Sequence, residues 1–348
     1  MGSKKSIQER KKLIECDVIK TIMMLFVVLG HSASLWATSG WFVTAPVYPS
    51  VFLGLIADWL GSFHIYCFVL VSGYIFAYLK YECGKYNNWK QFIYAKFWRL
   101  IIPYFFVSLL WCAPFYYFFY KCGFSTIIKR FILGTGPSQL WFLLMLFQVF
   151  LYAYIFSDLF IKKTKLLAVI ALFMYAISII GNTIVQNYYQ IFTSMQFYLC
   201  FFVGMCLRYY KVKWTKEIHL LMFVLVDLSL FGINIVLNHQ NTLICKILNL
   251  GCSCLLHLMG AIMAFFVIYR FTEKIGIYKL KLFQLLEEHS FTIYLFHQQI
   301  IYICIYFLNG KVNNYLLFIS NFIVSIVFSL FISIILKNNK FTKRLVGE

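Results

Sequence analysis

Lys20 and His31 lie eleven residues apart in an apolar run that extends from Asp17 to Trp36. At 3.6 residues per turn this spacing brings both to nearly the same helix face, about 16 Å apart along the axis. One face would carry a cation near a water boundary and a titratable imidazole deep inside. Ionisable groups at that depth are costly and usually functional, although a helix-end Lys and a hydrogen-bonded structural His give the same pattern. His64 and His297 recur at a similar estimated depth in later apolar runs. An imidazole accepts and releases protons near neutral pH, so three of them in one bundle point to a polar, reactive cavity. Metal ligation is disfavoured. No carboxylate or i, i+4 histidine pair accompanies the three, and Cys252 and Cys254 fit helix interfaces better than a metal site.

The elements that must hold these residues follow from composition. Hydrophobic residues make up 62% of the chain and charged residues only 12%, far from the balance of a soluble domain. Apolar runs of about 20 residues recur from end to end, continuous rather than alternating in twos, which selects membrane helices over a barrel. Hydropathy places ten spans near 18–37, 52–79, 98–120, 139–161, 166–185, 192–210, 217–237, 247–270, 287–309 and 314–336. With a cytoplasmic N-terminus, only Lys121, Lys129, Arg130, Lys246 and Lys311 of the 31 basic residues fall on the outer side. The positive-inside rule therefore predicts an all-α, polytopic bundle of ten transmembrane helices with both termini cytoplasmic. The net charge of +19 is then a topology signal and not a nucleic-acid footprint.

Three units are expected: a basic cytoplasmic segment at 1–17, a membrane domain at 18–336 and a cytoplasmic tail at 337–348. The first span lacks a convincing signal-peptide flank or cleavage site and is expected to be retained. Met1 to Ser6 fits an N-myristoylation pattern, but one acyl chain adds no anchoring to ten spans.

Further candidates sit on later spans. Ser72 and Gly73 are small enough to let a neighbouring helix approach, and packing suits them better than nucleophilic chemistry. Lys96 and Arg99 share a helix face at i, i+3 on the cytoplasmic side, as phosphate binders or as topology signals alike. Trp141 stands in the Gln139–Phe142 stretch at the outer interface, where Trp is common.

The ordered set of motifs resembles the membrane-bound acyltransferase family 3. Asp17, Lys20 and His31 fit its first-span pattern of an acid, a base, ten residues and His. Phe63, His64, Phe68, Ser72, Gly73 and Tyr74 fit its second-span phrase, with Tyr66 where proline is common. Lys96, Arg99, Pro103 and Tyr104 fit a basic pair followed by proline and tyrosine, one Arg being replaced by Lys. Leu140, Trp141 and Phe142, and the Ile293–His297 stretch, look like later family phrases. The likeness spans the whole chain.

The resemblance implies a plasma-membrane O-acyltransferase, most simply an acetyltransferase. It would take acyl-CoA from the cytoplasm and acylate a hydroxyl of a polysaccharide or lipid-linked saccharide, with membrane lipid as its surroundings. Lys20, Lys96 and Arg99 would hold the donor's phosphates at the water boundary. His31 would act as general base, with His64 or His297 orienting it or the acceptor; an acyl-imidazole on His31 is the variant route. A saccharide transporter is the competing reading. It would call for an internal repeat and broken helices at mid-depth, and the sequence has no evident repeat and few interior Gly or Pro.

Overall fold

Pro103 and Pro114 explain the least regular of the long helices, α3 (Trp89–Phe118). A proline inside a helix has no N–H to donate and its ring crowds the carbonyl four residues earlier. Here each proline is preceded by a turn of wider π geometry, at Phe97–Ile101 and Ser108–Cys112, which absorbs the mismatch without ending the helix. The other nine spans are α1 (Ile14–Trp36), α2 (Val51–Glu82), α4 (Ser138–Ile155), α5 (Thr164–Ile184), α6 (Tyr188–Tyr209), α7 (Glu217–Asn238), α8 (Leu243–Thr272), α9 (Lys281–Leu308) and α10 (Asn314–Asn338). A short helix, α11 (Lys340–Leu345), follows.

The structure, a computed structural model, describes residues 13–38, 44–213 and 216–348. The cations Lys4, Lys5, Arg10, Lys11 and Lys12 and the stretch from Met1 to Ser6 lie outside the described residues. All ten expected spans are present as helices long and apolar enough to cross a membrane. The third begins well before residue 98, at Trp89, because Asn88 caps it by accepting from the Lys90 and Gln91 backbone amides.

Helices α1, α2 and α9 form the centre. About 72% of the most apolar stretches of α2 and α9 is buried, against 6% for α7, which lies at the rim. α1 packs against α2, α8, α9 and α10, and α2 packs against α6 and α8. Two glycines make the α2–α6 contact close. A Cβ at Gly73 would overlap the Phe201 carbonyl, and one at Gly204 would overlap the Leu70 carbonyl. Ser72, beside Gly73, donates to the Phe68 carbonyl of its own helix at 2.9 Å and so satisfies its hydroxyl locally. Along α10, Asn321, Ser325, Ser329 and Ser333 recur every fourth residue and are all fully buried. This polar stripe meets the rest of the bundle through Asn321 to the Ser32 carbonyl, 3.2 Å, and Ser333 to His289, 2.7 Å.

The segment after α10 is ordered against the bundle. Arg344 lies over the Trp98 ring at 4.6 Å, Val346 is fully buried, and Lys337 pairs with Glu348 at 2.7 Å. Gly347 adopts a positive φ that a side chain would oppose, and it sits beside the Arg99 carbonyl and the Pro103 ring. The start of α1 and the end of α11 thus share one face of the bundle, called here the terminal face.

Candidate functional site

His31 and His297 meet at the centre of the bundle. Nδ1 of His31 lies 2.8 Å from Nε2 of His297, and the rings stack with centroids 5.0 Å apart. α1 and α9 pack side by side, and this contact is the polar part of their seam. Nδ1 of His297 faces the carbonyls of Tyr294 at 2.7 Å and Ile293 at 3.3 Å. Carbonyls only accept, so this nitrogen carries the hydrogen. For neutral rings, Nε2 of His297 is then the acceptor and Nδ1–H of His31 the donor. Nε2 of His31 is left as its unprotonated nitrogen. His297 therefore fixes the ring orientation and tautomer of His31, as a second residue commonly does for a reactive imidazole.

His31 lines a cavity of about 800 Å³ that opens away from the terminal face. His64 joins it on the same wall, its Nδ1 donating to the Leu60 carbonyl one turn back, so that Nε2 remains an acceptor. Trp36 and Trp141 supply aromatic surface, and Ser34, Asp58, Gln139 and Asn234 supply polar groups. Aromatic faces interleaved with hydrogen-bonding groups suit a polyhydroxylated ligand, whose C–H faces pack on rings while its hydroxyls find partners. Trp141 also packs on Phe197, 5.6 Å between centroids. Gln139 is tied into a buried amide network: its Nε2 donates to the Leu295 carbonyl at 2.6 Å and to Gln299 at 2.8 Å. The Trp111 indole donates to the same Gln299 oxygen at 3.1 Å. This network sets α4 and α3 against α9.

A second cavity, about 470 Å³, opens on the terminal face and is lined by Asp17, Lys20, Arg99, Lys343, Phe68 and Phe142, among others. Lys20 pairs with Asp17 at 2.7 Å. Arg99 makes no ion pair among the described residues. Glu287, Glu288 and Glu348 also reach the wall, so the cations here work against acids rather than in a purely basic funnel. Lys343, from α11, is a cation of this cavity that the sequence did not single out.

The structure separates two candidates that the sequence paired. Arg99 faces the cavity, whereas Lys96 turns into an aromatic cluster, with its ammonium 3.6 Å from the Phe150 ring centre and 5.7 Å from that of Phe92. The π turn that starts at Phe97 advances less rotation per residue than an α turn, so the i, i+3 pair no longer shares a face. A half-buried cation over a ring gains about 1 kcal/mol, an arrangement that suits Lys96 to packing α3 against α4. Tyr74 is likewise set apart from both cavities, accepting from Arg208 at 3.2 Å, while Arg208 also pairs with Glu82.

Two residues were passed over in the sequence. His257 lines the outer cavity and stacks on Tyr66, 4.1 Å between centroids. It lies at the middle of the eighth expected span, so the criterion that selected His31 would have found it. Asp227 is the one buried residue of α7, and the Trp59 indole donates to it at 2.9 Å. An acid in an apolar run was the available signal. Among the described residues no group of three His, Cys, Asp or Glu side chains converges as a metal-holding cluster.

A family model for an acyltransferase domain, acyltransferase 3, matches residues 13–337. The chain belongs to that family, and it is a multi-pass membrane acyltransferase. No curated protein and no solved structure matches it.

Proposed function

We propose that the protein is a plasma-membrane O-acyltransferase that moves an acyl group, acetyl in the simplest case, from cytoplasmic acyl-CoA to a hydroxyl of a polysaccharide or lipid-linked saccharide. The observation that carries this reading is the oriented His31–His297 pair, with His31 on the wall of one cavity and Tyr294, one turn before His297, on the linings of both that cavity and a second one. The terminal face is read as cytoplasmic from the distribution of basic residues. Arg99 and Lys20 would hold the donor's phosphates there, with Lys343 beside them. Lys96 is better assigned to the aromatic cluster than to the donor.

The acceptor hydroxyl would lie in the outer cavity against Nε2 of His31. As its oxygen attacks the thioester carbonyl carbon, that nitrogen takes the hydroxyl proton, and the imidazolium is stabilised by Nδ1–H donating to His297. The new ester C–O bond forms, the C–S bond breaks, and the proton passes to the leaving sulfur. His64, whose Nδ1 donates to the Leu60 carbonyl, would accept at Nε2 a hydrogen bond from a neighbouring acceptor hydroxyl. Mass spectrometry of surface glycans from cells with and without the protein tests this directly. An acyl ester present with the protein, lost without it and reduced by Arg99→Ala is the expected result. Glycans identical in all three would overturn the reading.

A further inference from the structure

The two cavities share a single side chain among the described residues, Tyr294. Its ring is 5% exposed and stands edge-on to Phe142, 5.6 Å between centroids. Its hydroxyl donates to the backbone carbonyl of Gln139, a residue itself held by the Gln139–Gln299 amide pair. A buried hydroxyl in an apolar region is costly unless partnered, and this partner pins the ring at one position. On the terminal side, the ring continues a surface formed by Met24, Phe68 and Phe142. On the other side lie His31 and Gln139. Tyr294 also sits one turn before His297, its carbonyl taking the Nδ1–H of that ring. This shared lining is thus built on the same turn of α9 as the residue that orients the base.

We propose that Tyr294 forms the constriction through which the donor and acceptor cavities communicate, and that its ring limits the length of acyl chain that can be presented to His31. This rests on the acyl-transfer reading above. A thioester entering from the terminal face brings its acyl end against Met24, Phe68, Phe142 and Tyr294, all of them apolar or presenting an apolar ring. A short chain fits below the ring with its carbonyl near the histidine pair. Each further methylene must displace the ring or draw the carbonyl back from His31. Discrimination of one methylene in a packed apolar site is worth about tenfold or more in rate.

The test uses membranes from cells producing each variant, given acetyl-CoA or butyryl-CoA labelled in the acyl carbonyl, with the label recovered as glycan ester. The wild type should favour acetyl. Tyr294→Ala widens the constriction and should raise the butyryl-to-acetyl ratio about tenfold or more. Tyr294→Phe keeps the ring and should keep the wild-type preference, although turnover falls as the Gln139 anchor is lost. Tyr294→Leu, closer in volume to the original, serves if the Ala variant fails to accumulate, and should shift the ratio in the same direction. A ratio unchanged in folded Ala and Leu variants would overturn the constriction while leaving acyl transfer intact. Transfer from neither donor by the wild type would instead overturn the acyl-transfer reading.

Discussion

The hydrogen bond from His31 to His297 decides which nitrogen can act as a base. Two backbone carbonyls occupy Nδ1 of His297, and the consequence passes through one ring to the next. His31→Gln keeps size and hydrogen-bonding capacity but cannot take and release a proton near neutral pH. It should lower glycan acylation by about a hundredfold or more, the usual worth of a positioned general base, with detergent-extracted yield and melting temperature preserved. His297→Gln retains an oxygen that can accept from His31 and should cost less. A well-folded His31→Gln protein with near-normal turnover would remove the mechanism. Lys96 and Arg99 teach the complementary lesson, since two cations three residues apart serve different ends once a π turn intervenes.

Among the elements, the α2–α6 contact is a close one, and it explains why a glycine stands at position 73. Gly73 and Gly204 each lie against a backbone carbonyl of the facing helix, so neither side can yield by rotating a flexible side chain. In a bilayer, where lipid tails are as apolar as the helix faces, close packing of this kind is a main source of helix association. Gly204→Ala forces the two backbones apart and should destabilise the bundle by about 1–3 kcal/mol or more. The check is thermal melting in detergent, where the variant should melt well below the wild type. Gly232→Ala is the control, because a Cβ there meets nothing within 4 Å. Equal melting of all three proteins would mean that the α2–α6 contact is looser than described.

For the whole molecule the organising fact is that two cavities open on opposite faces and approach each other at mid-depth. Function then depends on which face meets the cytoplasm, and the distribution of basic residues predicts that it is the terminal face. Cys83 is exposed on that face, in the connection after α2. In a variant whose only thiol is Cys83, a membrane-impermeant maleimide should leave intact cells unlabelled and react once the membrane is opened. Labelling of intact cells would reverse the orientation and place the Lys20–Arg99 cavity on the side without acyl-CoA.

The amino-acid sequence alone determined the ten spans, because a long apolar run has no stable place but a membrane or a core, and that property is local. It also determined that His31 and Lys20 stand on nearly one face of one helix, about 16 Å apart along its axis, since rise and turn are fixed by the α-helix itself. Tertiary structure alone decided that His31 meets His297, 266 residues away, rather than His64, that Arg99 faces a cavity and Lys96 does not, and that Tyr294 lines both cavities. The physical reason is the solvent. In water, a polar face and an apolar face tell which way a helix turns, but lipid and protein interior are equally apolar. A membrane helix that is hydrophobic all round therefore carries little record of its rotation, and its neighbours are chosen by close packing and buried hydrogen bonds between residues far apart in the chain.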